Sequence, residues 1–232
     1  MANLSGEPIM KLQDRLDAFR TNFEAGGPPF HAPSWVLEPM HRATRELVEA
    51  GAADRALKVG EQVPEFTLKD PEGNDISCRA LLAKGPLIVS FYRGVWCPYC
   101  NMDLQALQEA LPEYERRGAS LVAISPQVTS NGAKSMRDNK LTFPVLSDPG
   151  NDVASRFGIL YHLPDYLVEL YRDTFKIDLP QINGEPSWTL PLPGRFVIAP
   201  DRTILYAEVS ADYTRRPDPA ELLSVLQEVA TV

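Results

Sequence analysis

The feature that most constrains this chain is an apolar run that ends in a pair of cysteines. Pro86-Leu87-Ile88-Val89-Ser90-Phe91-Tyr92 is almost continuously apolar, the pattern of a central strand covered on both faces. Arg93-Gly94-Val95-Trp96-Cys97-Pro98-Tyr99-Cys100 follows directly, and Met102, Leu104, Leu107, Ala110 and Leu111 then mark a helix ending near Gly118. Cys97 and Cys100 therefore stand where an extended chain turns into a helix. The open N–H groups and the macrodipole favour an anion there. A thiolate is such an anion, so a thiol at this place is expected to have a lowered pKa and to act as a nucleophile near neutral pH. A second thiol three residues on lies about one helical turn away and can close a small disulfide ring. Pro98 is tolerated in the first helical turn. Trp96 can shield one side of the sulfur. Arg93 is near enough in sequence to stabilise a thiolate or a developing oxyanion, with a surface ion pair as its competing reading.

The surrounding pattern predicts an α/β fold. Residues 119–125 read as a second buried strand, so strand, helix and strand form a right-handed crossover and the sheet is partly parallel. Upstream, residues 65–70 and 76–78 read as a hairpin across Pro71-Glu72-Gly73-Asn74, and residues 79–84 suit one helical turn. Downstream, residues 129–140 read as a helix, 143–148 as a short strand and 152–157 as a helix. Residues 195–200 and 204–209 form a hairpin, and residues 218–230 supply a closing helix. Two elements frame this body. Ile9, Leu12, Leu16, Phe19 and Phe23 place an amphipathic helix over residues 8–25, and a second helix spans 36–50. These define an N-terminal helical extension, 1–55, ahead of a body at 56–232; covering that body is the expected role. Residues 161–190 interrupt the body with Tyr161, Tyr166, Tyr171 and Phe175. They are expected to form a helical hairpin or lid, or an apolar pocket.

Composition narrows the chemistry. Three cysteines are a poor disulfide framework, and no histidine stands at metal-ligand spacing from Cys97 and Cys100. The expectation is therefore no metal. Cys78 has no catalytic context and reads as a packing residue. A net charge of -8 disfavours nucleic acid and anionic membranes as partners. No segment resembles a signal peptide or a membrane helix, which makes the cytoplasm the expected location. Farther along, Pro191-Leu192-Pro193-Gly194-Arg195 precedes a strand. A cis bond at Pro193 would turn the backbone toward the site, and Arg195 is a second candidate oxyanion partner. The ordinary reading is a proline-rich strand entry.

Residues 91–100 resemble the active-site segment of the peroxiredoxin-like branch of the alkyl hydroperoxide reductase and thiol-specific antioxidant family. Ala123-Ile124-Ser125-Pro126-Gln127 and residues 143–148 look like its later signatures. The resemblance runs from about residue 57 to 210. It implies a thioredoxin-like fold, a central mixed β-sheet flanked by helices. It also implies reduction of hydrogen peroxide or organic hydroperoxides without a cofactor, with thioredoxin or a glutaredoxin-like dithiol as reductant. The site departs from the family pattern PxxxTxxC, which would place the proline at Arg93, the threonine at Cys97 and the attacking cysteine at Cys100. The family's distant arginine falls near Pro193, where thioredoxins keep a cis proline. The tetrad at 97–100 is instead identical to the thioredoxin and glutaredoxin CPYC, whose logic makes Cys97 attack and Cys100 resolve. The reading favours Cys97.

Three functions follow as expectations. The leading one is a thioredoxin-dependent peroxidase with Cys97, Cys100 and Arg93 as catalytic residues and Trp96, Pro193 and Arg195 at the substrate. The alternative is a thiol-disulfide oxidoreductase of thioredoxin or glutaredoxin type. A third, of another class, is a non-enzymatic redox sensor. A homodimer through the exposed helices or a sheet edge is compatible with the residues, which do not decide it.

Overall fold

The computed structural model describes residues 11–28 and 32–229. Among these residues the centre is a seven-stranded mixed sheet with nine α-helices around it. The strands are β1 (Thr67–Lys69), β2 (Asp75–Ser77), β3 (Leu87–Phe91), β4 (Ser120–Ser125), β5 (Val145–Ser147), β8 (Gly194–Ile198) and β9 (Ile204–Val209), in the spatial order β2-β1-β5-β4-β3-β8-β9. β3 pairs parallel to β4 and antiparallel to β8, with Phe91 opposite both Ile124 and Gly194. All five residues of β3 are buried, as its unbroken apolar run requires.

Alternation along β3 divides the core into two layers. Leu87, Val89 and Phe91 pack with Val122, Ile124, Phe157 and Phe196 on one face. Ile88 and Tyr92 pack on the other with the helix α4 (Pro98–Glu115) and the closing helix α9 (Glu221–Val229). The extension splits between these layers. Helix α1 (Leu12–Glu24) buries Leu12 and Leu16 against α4, while α2 (Ser34–Glu49) buries Val36 and Ala43 in the opposite layer. Of the 8–25 expected, the described part forms a helix over Leu12–Glu24, and residues 8–10, Ile9 among them, lie outside the described residues. Tyr166 Oη donates to Glu46 at 2.6 Å, tying α2 to the insertion.

The remaining elements are short. The predicted turn at 79–84 is α3 (Cys78–Leu82), so Cys78 opens a helix rather than ending a strand. Its sulfur accepts the Phe66 amide at 3.2 Å in full burial, a packing position. Helices α5 (Thr129–Asn139) and α6 (Asp152–Arg156) lie as the sequence predicts. The insertion differs in its base. It is closed by a separate two-stranded sheet, β6 (Leu160–His162) with β7 (Thr189–Pro191). Between these strands run α7 (Asp165–Glu169), a π turn at Leu170–Thr174 and α8 (Leu179–Asn183). Two three-residue strands carry too little alternation to be read from sequence.

Candidate active site

β3 ends at Phe91 and α4 begins at Pro98, with Cys97 as the residue before the first helical turn. The link is pinned from behind. Gln127 Oε1 accepts the Val95 amide at 2.8 Å, while Gln127 Nε2 donates to Tyr92 Oη at 3.1 Å and Ser125 Oγ at 3.2 Å. Asn101 Nδ2 donates to the Val95 carbonyl at 2.8 Å. Gly94 adopts φ +152, and a Cβ there would stand 2.4 Å from Trp96 Nε1. This is a position where only glycine fits without strain.

The two thiols share one helical turn and have different surroundings. Both are free and buried, at 2% and 0% exposure for Cys97 and Cys100. Cys97 lines a cavity of about 360 Å³, together with Arg93, Trp96, Tyr171, Phe175 and Tyr213. Phe19 and Phe23 of α1 and Met40 of α2 complete its wall. Cys100 is absent from that lining.

Arg93 is fully enclosed beside the first sulfur. Its Nη1 lies 4.0 Å from Cys97 Sγ and its Nη2 donates to Tyr171 Oη. Its guanidinium carbon stands 4.5 Å from the Tyr213 ring centroid and 4.9 Å from that of Trp96. Desolvated cation–π contacts of this kind are worth about 2 kcal/mol. The salt bridges among the described residues give Arg93 no carboxylate, so the surface ion pair considered from sequence is not found. Its Nε, like Trp96 Nε1, is a buried donor without a partner among those residues.

A second arginine reaches the other sulfur. Arg216 Nη2 lies 3.6 Å from Cys100 Sγ, and Arg216 Nε lies 3.4 Å from Asp103 Oδ2. The thiols and these charges act together on the titration. Burial resists ionisation of Cys97, but the Cys100 thiol, Arg93 and Arg216 overcome it and bring its pKa down to about 6. Burial pushes Cys100 well above the usual thiol range, and the neighbouring Cys97 adds to the rise. No full capping hydrogen bond from the helix reaches Cys97 Sγ, and the Cys100 amide is the smallest of the influences named on it. The lowered pKa expected from sequence is present, but arginines supply more of it than helix amides.

The structure gathers Arg93, Trp96 and Cys97 at one cavity and sets Cys100 beneath it. It places the other two candidates elsewhere. Arg195 is 1% exposed and donates to Asp103 and, through Nη1 at 2.9 Å, to the Pro217 carbonyl. It therefore serves as a buried ion-pair partner, because Asp103 on α4 neutralises it before it can meet the cavity. Pro193 links β7 to β8, its carbonyl accepting the Ser210 amide at 3.1 Å, and neither residue lines the cavity. Tyr171, Tyr213, Asp103 and Arg216 were not identified as site residues from sequence. Only Tyr171 carried a signal, as part of the aromatic insertion. Among the described residues no cluster of His, Cys, Asp or Glu could hold a metal ion.

Residues 59–207 match the AhpC/TSA family. The chain belongs to that family. A peroxiredoxin-named relative from Mycobacterium tuberculosis is 31% identical over 122 residues, covering 53% of this chain and 79% of the relative. The thiol-disulfide oxidoreductase ResA of Bacillus thuringiensis subsp. konkukian is 25% identical over 117 residues, covering 50% of this chain and 66% of that protein. Peroxidoxin BcpB of M. tuberculosis superposes with a TM-score of 0.59 at 24% identity, over 75% of this chain and 98% of that one. That likeness is one of fold, the mixed thioredoxin-like sheet with flanking helices. The AhpC/TSA match excludes Phe19, Met40, Tyr213 and Arg216, which therefore come from outside the shared family body.

Proposed function

We propose that this chain is a thiol peroxidase that reduces hydroperoxides through Cys97, resolves through Cys100 and is recycled by thioredoxin or a similar dithiol. AhpC/TSA membership supports the peroxidase class. The observation that carries the residue assignment is the asymmetry of the pair: Cys97 faces the cavity beside an arginine lacking a carboxylate, and Cys100 lies beneath it, fully enclosed. In the first step the Cys97 thiolate attacks the peroxide oxygen and the O–O bond breaks. Sulfur is oxidised to the sulfenic acid, and the leaving alkoxide takes a proton from solvent to become the alcohol. Arg93 and Tyr171 stand where their donors can stabilise the negative charge as it moves from sulfur to oxygen. Cys100 then condenses with the sulfenic acid, releasing water, and an external dithiol reduces the resulting disulfide.

The test is peroxide consumption by purified reduced protein with a thioredoxin system. Turnover supports the reading. Insulin reduction without peroxide turnover would instead support a thiol-disulfide oxidoreductase. That second reading is favoured by the intact CPYC pair and by the ResA relative. The order of the thiols has its own test. Oxidation retained in Cys97→Ser and abolished in Cys100→Ser would reverse the assignment.

A further inference from the structure

Of all the side chains around the two sulfurs, Arg216 has the least expected placement. It lies 116 residues from Cys100, beyond the end of the family match, yet its Nη2 reaches Sγ at 3.6 Å with the guanidinium buried. The contact is built from several sides. Arg216 Nη1 donates to the Tyr213 and Arg215 carbonyls, each at 2.6 Å. Its backbone amide donates to Gln13 Oε1 on α1 at 3.1 Å, and Gln13 Nε2 returns a bond to the Thr214 carbonyl at 3.4 Å. Asp103, one helical turn after Cys100, stands 3.4 Å from Nε as an ion-pair partner without a hydrogen bond, while also pairing with Arg195.

The charge count around this cluster is uneven. Arg93, Arg195 and Arg216 are all buried, and Asp103 is the one carboxylate paired with any of them among the described residues. Buried cations without counter-ions are costly, so the cluster favours an anion on one of the sulfurs. While Cys97 is a thiolate, that anion sits mainly beside Arg93. Once Cys97 becomes a sulfenic acid or a mixed disulfide its charge is gone, and the cations are left facing Cys100.

We propose that Arg216 is the group that ionises Cys100 for the second chemical step, so that each cysteine of the pair has its own arginine. In that step Cys100 gives its proton to solvent, and its thiolate attacks the Cys97 sulfur. On a sulfenic acid the S–O bond breaks and the departing hydroxide takes up a proton as water. On a mixed disulfide the S–S bond to the bound group breaks, and that group leaves as a thiolate. The pair thereby fires in sequence: the thiol remote from the cavity is kept neutral until its neighbour is spent.

The inference rests on Cys97 attacking first, and a chromogenic aromatic disulfide tests it without peroxide. Reduced protein releases one aromatic thiolate when Cys97 attacks and a second when Cys100 closes the ring. Read at about pH 8, where Cys97 stays mostly ionised even if losing Arg216 raises its pKa by about one unit, Arg216→Gln is expected to slow the second release about tenfold or more, corresponding to one pKa unit, and to change the first by less than about threefold. Arg216→Lys, which keeps the charge, falls between wild type and Arg216→Gln in the second step. Arg93→Gln shows the reverse, with the first release slowed more than the second. Unchanged closure in Arg216→Gln, or equal slowing of both releases, overturns the proposal. If Arg216→Gln does not fold, Arg216→Met takes its place, and unchanged closure in that variant overturns the proposal. Slowing of the first release alone would place the attack on Cys100 and sink the order of thiols as well. Two normal releases from a protein that fails to turn over peroxide would sink the peroxidase reading and leave the role of Arg216 standing.

Discussion

Arg93 Nη1 stands 4.0 Å from Cys97 Sγ, and its Nη2 is held by Tyr171 Oη across the same cavity. This places a cation beside Cys97 without a carboxylate to neutralise it. Arg93→Met should therefore raise the Cys97 pKa and slow peroxide oxidation by about 100-fold, the cost of losing one preorganised donor. Arg93→Lys should recover part of that loss. Stopped-flow oxidation against pH reads both effects, and a rate unchanged in Arg93→Met would remove Arg93 from the chemistry.

Titration of Cys97 should follow its surroundings. Its folded pKa of about 6 lies below the roughly 8.5 of an unfolded thiol. The thiolate therefore stabilises the reduced protein fully above about pH 8.5, and this contribution is lost as pH falls through about 6. Cys100 has the opposite sign: its raised pKa makes the neutral thiol stabilising below about 8.5 and costs stability above it. Denaturant midpoints of wild type, Cys97→Ser and Cys100→Ser across pH 5–10 should separate the two. A Cys97→Ser difference that is flat with pH would contradict the lowered pKa.

Asp103 lies between Arg195 and Arg216 in full burial. Asp103→Asn leaves both guanidinium groups without a counter-charge, which should destabilise the protein by about 3–5 kcal/mol. Thermal unfolding measures it, and a loss below about 1 kcal/mol would mean the cations relax to solvent.

Gly94 at φ +152 faces Trp96 Nε1 so closely that no Cβ fits. Gly94→Ala should cost about 1–3 kcal/mol in backbone strain. It should also slow Cys97 oxidation, since Trp96 must move and Arg93 leans on its ring. Normal kinetics in a folded alanine variant would show that Trp96 can shift without consequence.

Met40 and Phe175 line the cavity from α2 and from the insertion. Met40→Asp and Phe175→Ala should each raise KM for a bulky arylalkyl hydroperoxide several-fold and leave hydrogen peroxide nearly unchanged, because only the larger molecule spans the wall. Equal effects on both peroxides would argue that the wall acts through stability alone.

Much of this molecule was readable before its structure. The near-continuous apolar run at 86–92 reads as a strand with both faces covered, and it is β3 at the centre of the sheet. The step from that strand into α4 put Cys97 at a helix start, where the sequence placed it. What escaped were contacts between distant segments. Arg195 and Asp103 are 92 residues apart, and nothing local tells an arginine aimed at a carboxylate from one aimed at a substrate. Arg216 follows Arg215 in a polar stretch, and only the fold shows that one of these neighbours is buried on a sulfur while the other is exposed. The amphipathic period of α1 revealed that one face is covered, but not that Phe19 and Phe23 border the nucleophile.

Because α1 both walls the cavity and clasps the 213–216 segment through Gln13, the catalytic unit is not modular. An excised fragment trimmed to the family match at 59–207 would keep CPYC and Arg93 while losing the α1 wall of the cavity and Arg216. Grafting such a fragment into another protein would transfer a dithiol stripped of the groups that surround it here.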